Sequence, residues 1–409
     1  MKILVLVQSN PFANLGAASN RLLGLLKGLG KCGADVHVLI LQGYYNQNEV
    51  VEFSDKGTRD GIKYSYLSRR KNVTIWQRRY SEYFYVFFET LIMSRKFNRF
   101  LKYAPSNSVI WLQNHALCYS LVTESNIRNY KIFLEMNEYP DIHKWNNSQK
   151  YIWQSWFSDR KTEIFYKEVL NRLDGFALMT EALIEHFKGQ LNKRTKVLHL
   201  PMTVDLERFD LFKSYEPIEG LNVPYICFVG TMGDSKDGVN LLIEAFASIS
   251  KEFPNYKLAL FGFWAYDSTK HQQRIVELGM QDKIIYSKPI DSEKVVNLIM
   301  NADVLVLPRP DSYQAQGGFP TKLGEYLATS KPVIVTRVGE IPNYLQHQKS
   351  AFLIEPGSVE SIVIALKDAL SDYEKASKIG LEGRKVAESH FCSNIQSGRL
   401  SQFLIELCN

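Results

Sequence analysis

The sequence predicts an α/β fold made of two tandem domains of parallel βαβ units. Three observations carry that prediction. Apolar runs such as Ile3-Leu4-Val5-Leu6-Val7 and Val304-Leu305-Val306-Leu307 are continuous, as in parallel strands covered on both faces. They alternate with amphipathic stretches of helical length. The alternation lapses across residues 205–223 and restarts at Tyr225. A chain of 409 residues has room for two or three domains.

Residues 3–7 open the chain as a strand. Five apolar residues are too few for the core of a signal peptide. A polar loop from Gln8 to Asn14 and Gly16-Ala17-Ala18-Ser19 follow. A helix carrying Leu22, Leu23, Leu25, Leu26 and Leu29 stops at Gly30 or Gly33, and residues 35–41 are the second strand. Gly57-Thr58-Arg59-Asp60-Gly61 reads as a turn, and residues 62–67 alternate like a strand. Residues 76–102 set Arg78, Arg79, Arg95, Lys96, Arg99 and Lys102 among aromatic side chains. Such a segment fits peripheral contact with an anionic membrane, and equally a core helix with basic flanks. Strands are expected at 109–112, 131–134, 175–179 and 196–200, with Thr180 capping a helix. His115, Glu135 and Glu138 follow or close two of these strands, at the end where open α/β sheets bind ligands.

In the second half, residues 225–229 are a strand and Gly230 to Gly238 a glycine-rich loop. A helix at 241–253, a strand at 258–262, a helix at 292–301 and a strand at 304–307 follow. Then comes Gly317-Gly318-Phe319-Pro320-Thr321-Lys322-Leu323-Gly324-Glu325, read as a loop and one short helix before a strand at 332–335. The glycines let the backbone approach a ligand. Pro320 suits the first helical position, and the N–H groups of Thr321, Lys322 and Leu323 then offer an anion site. Lys322 sits where the helix dipole disfavours a cation unless an anion is near; the plain alternative is that it reaches into water. Glu325, a carboxylate on a helix between buried strands, requires donors. A short strand at 351–354 and helices at 358–370 and 373–391 complete this half.

The formal charge of +6 permits anionic ligands or lipid surfaces without specifying either, and no nucleic-acid partner is expected. Cys32, Cys118, Cys227, Cys392 and Cys408 form no C-x-x-C pair, which points to reduced thiols in a cytoplasm. No run approaches the roughly 18 apolar residues of a membrane span.

Gly230, Lys236 six residues on, Gly238 and Leu241-Leu242-Ile243-Glu244-Ala245-Phe246 resemble the donor-diphosphate loop of family-4-type retaining glycosyltransferases. Asn301-Ala302-Asp303-Val304-Leu305-Val306-Leu307-Pro308, Gly318-Phe319, Glu325, Pro332-Val333-Ile334, Val338-Gly339-Glu340 and Ala351-Phe352-Leu353-Ile354 continue in register. The first half agrees more loosely, through Gly16-Ala17, Asp174-Gly175, Leu200-Pro201 and Val204-Asp205. The resemblance implies two Rossmann-like domains with an interdomain cleft, a GT-B-like arrangement. Residues 1–205 would be the acceptor-side domain, about 206–223 a linker, 224–391 the nucleotide-sugar donor domain, and 392–409 a helix returning to the first domain. It implies no metal and no cofactor besides the nucleoside-diphosphate sugar substrate. The sequence shows no Asp-x-Asp pair and no His or Cys cluster with ligand spacing.

The resemblance also implies site residues. Gly230, Thr231, Lys236, Gly317, Gly318, Phe319, Thr321, Lys322 and Glu325 would contact the donor, and Gly16 and Ala17 the phosphate or the acceptor. Lys236 would stabilise the leaving diphosphate, and Glu325 would accept the ribose hydroxyls. His115 or Glu138 would orient an acceptor hydroxyl or balance developing positive charge; each is equally readable as a structural residue. Two positions depart from the family. Of its two glutamates eight apart, Glu325 is the second, while Gly317 holds the place of the first. The backbone of 317–321 or Gln316 would then take over its contact. The arginine often found after Gly230 is Thr231, which shifts charge neutralisation onto Lys236, helped by Lys322 or Arg309. The expected function is sugar transfer to a glycan or lipid-linked acceptor in bacterial surface polysaccharide (lipopolysaccharide or capsule) assembly, at the inner face of the cell membrane. The alternatives are a sugar-nucleotide epimerase or phosphorylase on the same fold, and a non-catalytic nucleotide-sugar binder.

Overall fold

The computed structural model describes residues 1–13, 16–45, 54–68, 71–72, 93–105, 107–124, 127, 129–141, 159–212, 218, 220–265, 267–288, 290 and 292–409. These fall into two compact units. One combines residues from 1–200 with 394–409, and the other is built from residues of 201–393.

The strands of the first unit are β1 (Lys2–Val7), β2 (Asp35–Ile40), β3 (Tyr44–Tyr45), β4 (Lys56–Arg59), β5 (Ile62–Tyr66), β6 (Lys71–Asn72), β7 (Val109–Leu112), β8 (Lys131–Met136), β9 (Gly175–Leu178) and β10 (Lys196–His199). Eight of them form one sheet in the order β10-β9-β8-β7-β1-β2-β5-β4, and β3 pairs with β6. The central strands are buried along almost their whole length, which is why their sequences are continuous apolar runs. β4 is the one antiparallel member of the large sheet and corrects the turn expected at 57–61. Only Asp60 and Gly61, with φ of 51° and 76°, turn the chain. Two residues at positive φ are what a tight hairpin between right-twisted strands requires.

The helix Ser393–Cys408 lies in this first unit. Its Leu400, Phe403, Leu404 and Leu407 share a core with Ile3, Val5, Trp111 and Phe133. Gly175 makes the approach possible, since a Cβ there would run into Phe403 and Leu407. Of the basic aromatic segment, residues 76–92 lie outside the described residues. Residues 93–102 are helical, and their Met93, Phe97 and Leu101 are buried.

The second unit contains β11 (Tyr225–Met232), β12 (Lys257–Trp264), β13 (Ile284–Ser287), β14 (Val304–Leu307), β15 (Val333–Thr336) and β16 (Phe352–Ile354). They form one parallel sheet in the order β13-β12-β11-β14-β15-β16. The order reverses beside β11, and ligands of open α/β sheets bind at such a point, outside the carboxyl ends of the strands. The stretch read as a linker is partly built into this unit: residues 207–210 form the short helix Glu207–Asp210. The Val204 N–H donates to the Phe391 carbonyl at 2.8 Å.

Candidate active site

β11 runs on to Met232, so Gly230 and Thr231, expected in a loop, are strand residues. Gly230 faces Gly262 of β12 in register. A Cβ on Gly262, whose φ is 153°, would land on the Gly230 carbonyl. After the strand the chain makes one helical turn, Asp234–Asp237, ended by Gly238 at φ 64°. Glycine is required there by the positive φ, and again because a Cβ would strike the Pro308 carbonyl. Asp234 fastens the turn. Its carboxylate accepts the Asn240 N–H at 2.8 Å and is hydrogen-bonded to the buried His271 Nε2 at 2.9 Å. Burial alone would raise its pKa, but these partners outweigh burial and hold it below the ordinary carboxylate value.

The helix Thr321–Ala328 supplies the other side. Pro320 is its N-cap, one position before the first helical position expected for it. The Leu323 N–H turns back onto the Pro320 carbonyl at 3.0 Å. The N–H groups of Thr321 and Lys322 remain as first-turn donors without an intrahelical acceptor. Tyr326 ties the helix to β11 by accepting the Val229 N–H at 2.8 Å, one residue before Gly230.

Lys322 lies one turn before Tyr326 on the same helix face, and it does not reach into water. Its side chain crosses Gly230, where a Cβ would stand 2.7 Å from its Cε. The ammonium is 2.7 Å from Asp237 Oδ2 and 4.6 Å from the centre of the Phe228 ring, within cation–π range. Asp237 is 1% exposed. The two groups form a close ion pair whose acceptor is almost wholly buried. Burial pulls Lys322 below the usual lysine range, Asp237 resists, and the charges of Lys236 and Arg309 push the same way as burial. Lys236 itself is exposed. Arg309 is buried and donates to the Gln314 carbonyl at 3.2 Å. Three cations thus gather near one buried carboxylate, beside the open first turn of a helix. Such an arrangement suits a multiply charged anion.

Glu325, on the same helix, accepts from Arg208 Nη1 at 3.1 Å. The carboxylate has the donor its position demanded, from a residue no local pattern had marked. Residues 313–317 are a one-turn helix capped by Ser312, not the loop expected. Gly317 ends that turn, and both it and Gly318 are buried. Gln316 is engaged with Asp311 at 3.1 Å. The Phe319 ring faces away from any donor contact. It packs against Tyr344 and Phe391, with ring centres at 5.7 and 5.4 Å, so only its backbone can meet a ligand.

Gly16, Ala17, His115 and Glu138 belong to the first unit. Gly16 is the exposed N-cap of the helix Ala17–Lys31, and no side chain caps that helix. His115 precedes the helix Ala116–Glu124, and its Nδ1 accepts the Leu117 N–H at 3.2 Å. The imidazole proton therefore sits on Nε2. Burial, with the nearby charge of Lys161, lowers its pKa to about 3. At neutral pH this His is therefore a neutral N–H donor, able to orient a hydroxyl but carrying no charge. Lys161, missed in the sequence, is also lowered by burial and held partway up by Glu138. Glu135 is spoken for, since the buried Arg21 is ion-paired with it. Among the described residues, no three His, Cys, Asp or Glu side chains are placed to hold a metal ion. No described helix is long and apolar enough to cross a membrane.

Residues 215–386 match the family described as glycosyl transferases group 1. A GDP-mannose-dependent alpha-(1-6)-phosphatidylinositol monomannoside mannosyltransferase of Mycolicibacterium smegmatis is 24% identical over 246 residues, 58% of this chain and 64% of that protein. The putative glycosyltransferase YtcC of Bacillus subtilis is 26% identical over 268 residues, 60% of this chain and 63% of that protein. The chain thus spans a little under two thirds of the length of these relatives. Sucrose-phosphate synthase from Thermosynechococcus elongatus superposes with a TM-score of 0.72 at 16% identity, covering 99% of this chain and 98% of that one. Anabaena HepE in complex with UDP and glucose gives a TM-score of 0.67 at 15% identity, covering 99% and 100%. At such identities these likenesses establish the fold.

Proposed function

Residues 215–386 form a glycosyl transferases group 1 domain within a two-domain GT-B fold, and on that premise we propose that the protein is a retaining glycosyltransferase. It moves a sugar from a nucleoside diphosphate to a glycan or lipid-linked acceptor. The observation that carries this reading is the cluster of Lys322, Lys236 and Arg309 around one buried carboxylate, beside the helix that bears Glu325.

Loss of a diphosphate separates charge between an oxocarbenium-like sugar and the leaving phosphate. Fixed cations and free N–H groups stabilise that separation because they need no rearrangement as it develops. Lys322 is the better fixed of the two lysines, held between Asp237 and Phe228, and takes the main role. Lys236, exposed on its one-turn helix, is secondary. Glu325 keeps acceptor capacity beyond its bond to Arg208 and takes the ribose hydroxyls. With Gly317 in place of an acid, the backbone about 317–321 meets the sugar. In the first unit, the Nε2–H of His115 donates to a substrate oxygen, and Glu138 orients the acceptor. No metal or further cofactor is assigned.

GDP-sugars and UDP-sugars are both reasonable donors, since the relatives above carry one or the other in their descriptions. A lipid-linked acceptor in surface polysaccharide assembly, met by peripheral contact at the cytoplasmic face of a membrane, accords with the positive charge of the chain. The test is transfer from a panel of UDP- and GDP-sugars to lipid-linked and free glycan acceptors. The anomeric configuration of the product is read by NMR. Acceptor-dependent product with the donor's configuration supports the proposal. Inversion would reject the retaining mechanism. Epimerised donor without acceptor, or binding without turnover, would reject the transferase.

A further inference from the structure

The Lys322–Asp237 pair is an uncommon resting arrangement for an anion site. Asp237 is 1% exposed and lies 2.7 Å from the ammonium. The Lys322 side chain can occupy its place only because residue 230 is glycine. The ammonium has three N–H groups, so contact with Asp237 at 2.7 Å leaves it donor capacity for a phosphate oxygen. Lys236 and Arg309 add positive charge around the same point. A buried ammonium so placed is costly without a countercharge.

We propose that Asp237 is the resting-state counterion of Lys322, occupying it until a phosphate oxygen arrives and then sharing it. This rests on reading the site as a diphosphate site. Asp237 has two opposed effects. It keeps the ammonium over Gly230 when the site is free. It also adds a negative charge beside the bound anion, which weakens binding and favours release of the product diphosphate. A carboxylate with a merely structural role would have the first effect and not the second.

The probe is inorganic pyrophosphate, with affinity measured by calorimetry and stability by thermal unfolding. The variants are Asp237→Asn, Asp237→Glu, Lys322→Met and the double variant Asp237→Asn/Lys322→Met. Asp237→Asn is expected to melt lower without ligand yet bind pyrophosphate more tightly, on the order of tenfold, the usual weight of one charge-assisted contact. Lys322→Met should bind it more weakly by a similar factor. The double variant should recover the melting temperature but not the affinity, and Asp237→Glu should behave like the parent. Unchanged or weaker binding by Asp237→Asn overturns the proposal, as does undiminished binding by Lys322→Met. If Asp237→Asn does not fold alone, folding on addition of pyrophosphate supports the proposal, and failure to fold at saturating pyrophosphate overturns it. A parent chain that ignores pyrophosphate would instead reject the diphosphate site itself.

Discussion

Arg21 is buried against Glu135 at the carboxyl edge of the first sheet, and Lys322 is buried against Asp237 at that of the second. The pairs look alike and differ in what surrounds them. Around Arg21 the charges are settled. Glu135 is engaged, and the His115 imidazole is neutral with one nitrogen already used on the backbone. Around Lys322 they are not. Two further cations act on the ammonium besides its partner Asp237. Polar residues at strand ends therefore do not identify a reactive site by themselves. Several cations gathered around one carboxylate do so better, because a ligand of opposite sign suits them.

The largest expected effect breaks the settled pair. Arg21→Ala leaves a nearly buried carboxylate without its partner, which costs about 3–5 kcal/mol of stability. Denaturant unfolding measures it, and Arg21→Lys should recover part of the loss. A cost below about 1 kcal/mol would mean that solvent reaches Glu135 and that the contrast between the pairs is weaker than drawn.

Next comes the second edge. Lys322→Met should lower turnover about a hundredfold, equivalent to about 3 kcal/mol of transition-state stabilisation. Lys236→Met, removing an exposed charge, should lower it roughly fivefold or less. The reverse order in steady-state kinetics would return the main role to Lys236, where the family resemblance had put it.

Gly230→Ala sharpens the same point. The new methyl would collide with the stem of Lys322, a flexible side chain that can move aside. Displacing the ammonium leaves Asp237 without its partner, so stability should fall by about 1–3 kcal/mol, while turnover falls toward that of Lys322→Met. Near-native turnover would show that the position of the ammonium over Gly230 is not needed.

The smallest effect concerns His115. Its folded pKa of about 3 lies below the usual 6.5. The unfolded chain therefore binds the proton more readily. The resulting stability is fully present above about pH 6.5 and is lost as pH falls toward 3. His115→Gln should flatten part of the acid slope of the melting temperature. His37, which burial lowers to about 4, and the lowered carboxyl of Asp234 contribute to what remains. An unchanged slope would mean that His115 is solvated and free to act as a base.

Much of the fold was legible because parallel strands buried on both faces leave continuous apolar runs. β4 was missed for the opposite reason: Lys-Gly-Thr-Arg at an exposed sheet edge has no apolar pattern. The Gly317 turn was missed because a single helical turn is too short to show a period. At the candidate site, Gly317, Gly318 and Lys322 were marked by glycine and helix-start chemistry, Glu325 as an acid between buried strands, and Gly230 and Lys236 by the family resemblance, all of them local. Their partners were not. Asp237 meets Lys322 and Arg208 meets Glu325 only after the chain has folded across 85 and 117 positions, and no spacing rule reaches that far. The proton state of His115 was not legible, because burial and a backbone donor fix what residue type leaves open.

The helix Ser393–Cys408 fills the core of the first unit from the far end of the chain. About 200 residues separate it from β10, the last strand of that unit. At about 5–20 residues per second of synthesis, roughly 10–40 s pass between the emergence of that strand and of the helix that covers its sheet. Through that interval the nascent first unit carries an uncovered apolar face at β9, where Gly175 leaves room for a helix not yet made. The second unit, contiguous in sequence, is under no such delay. Order of synthesis and order of completion are therefore inverted: the half translated first is the half finished last.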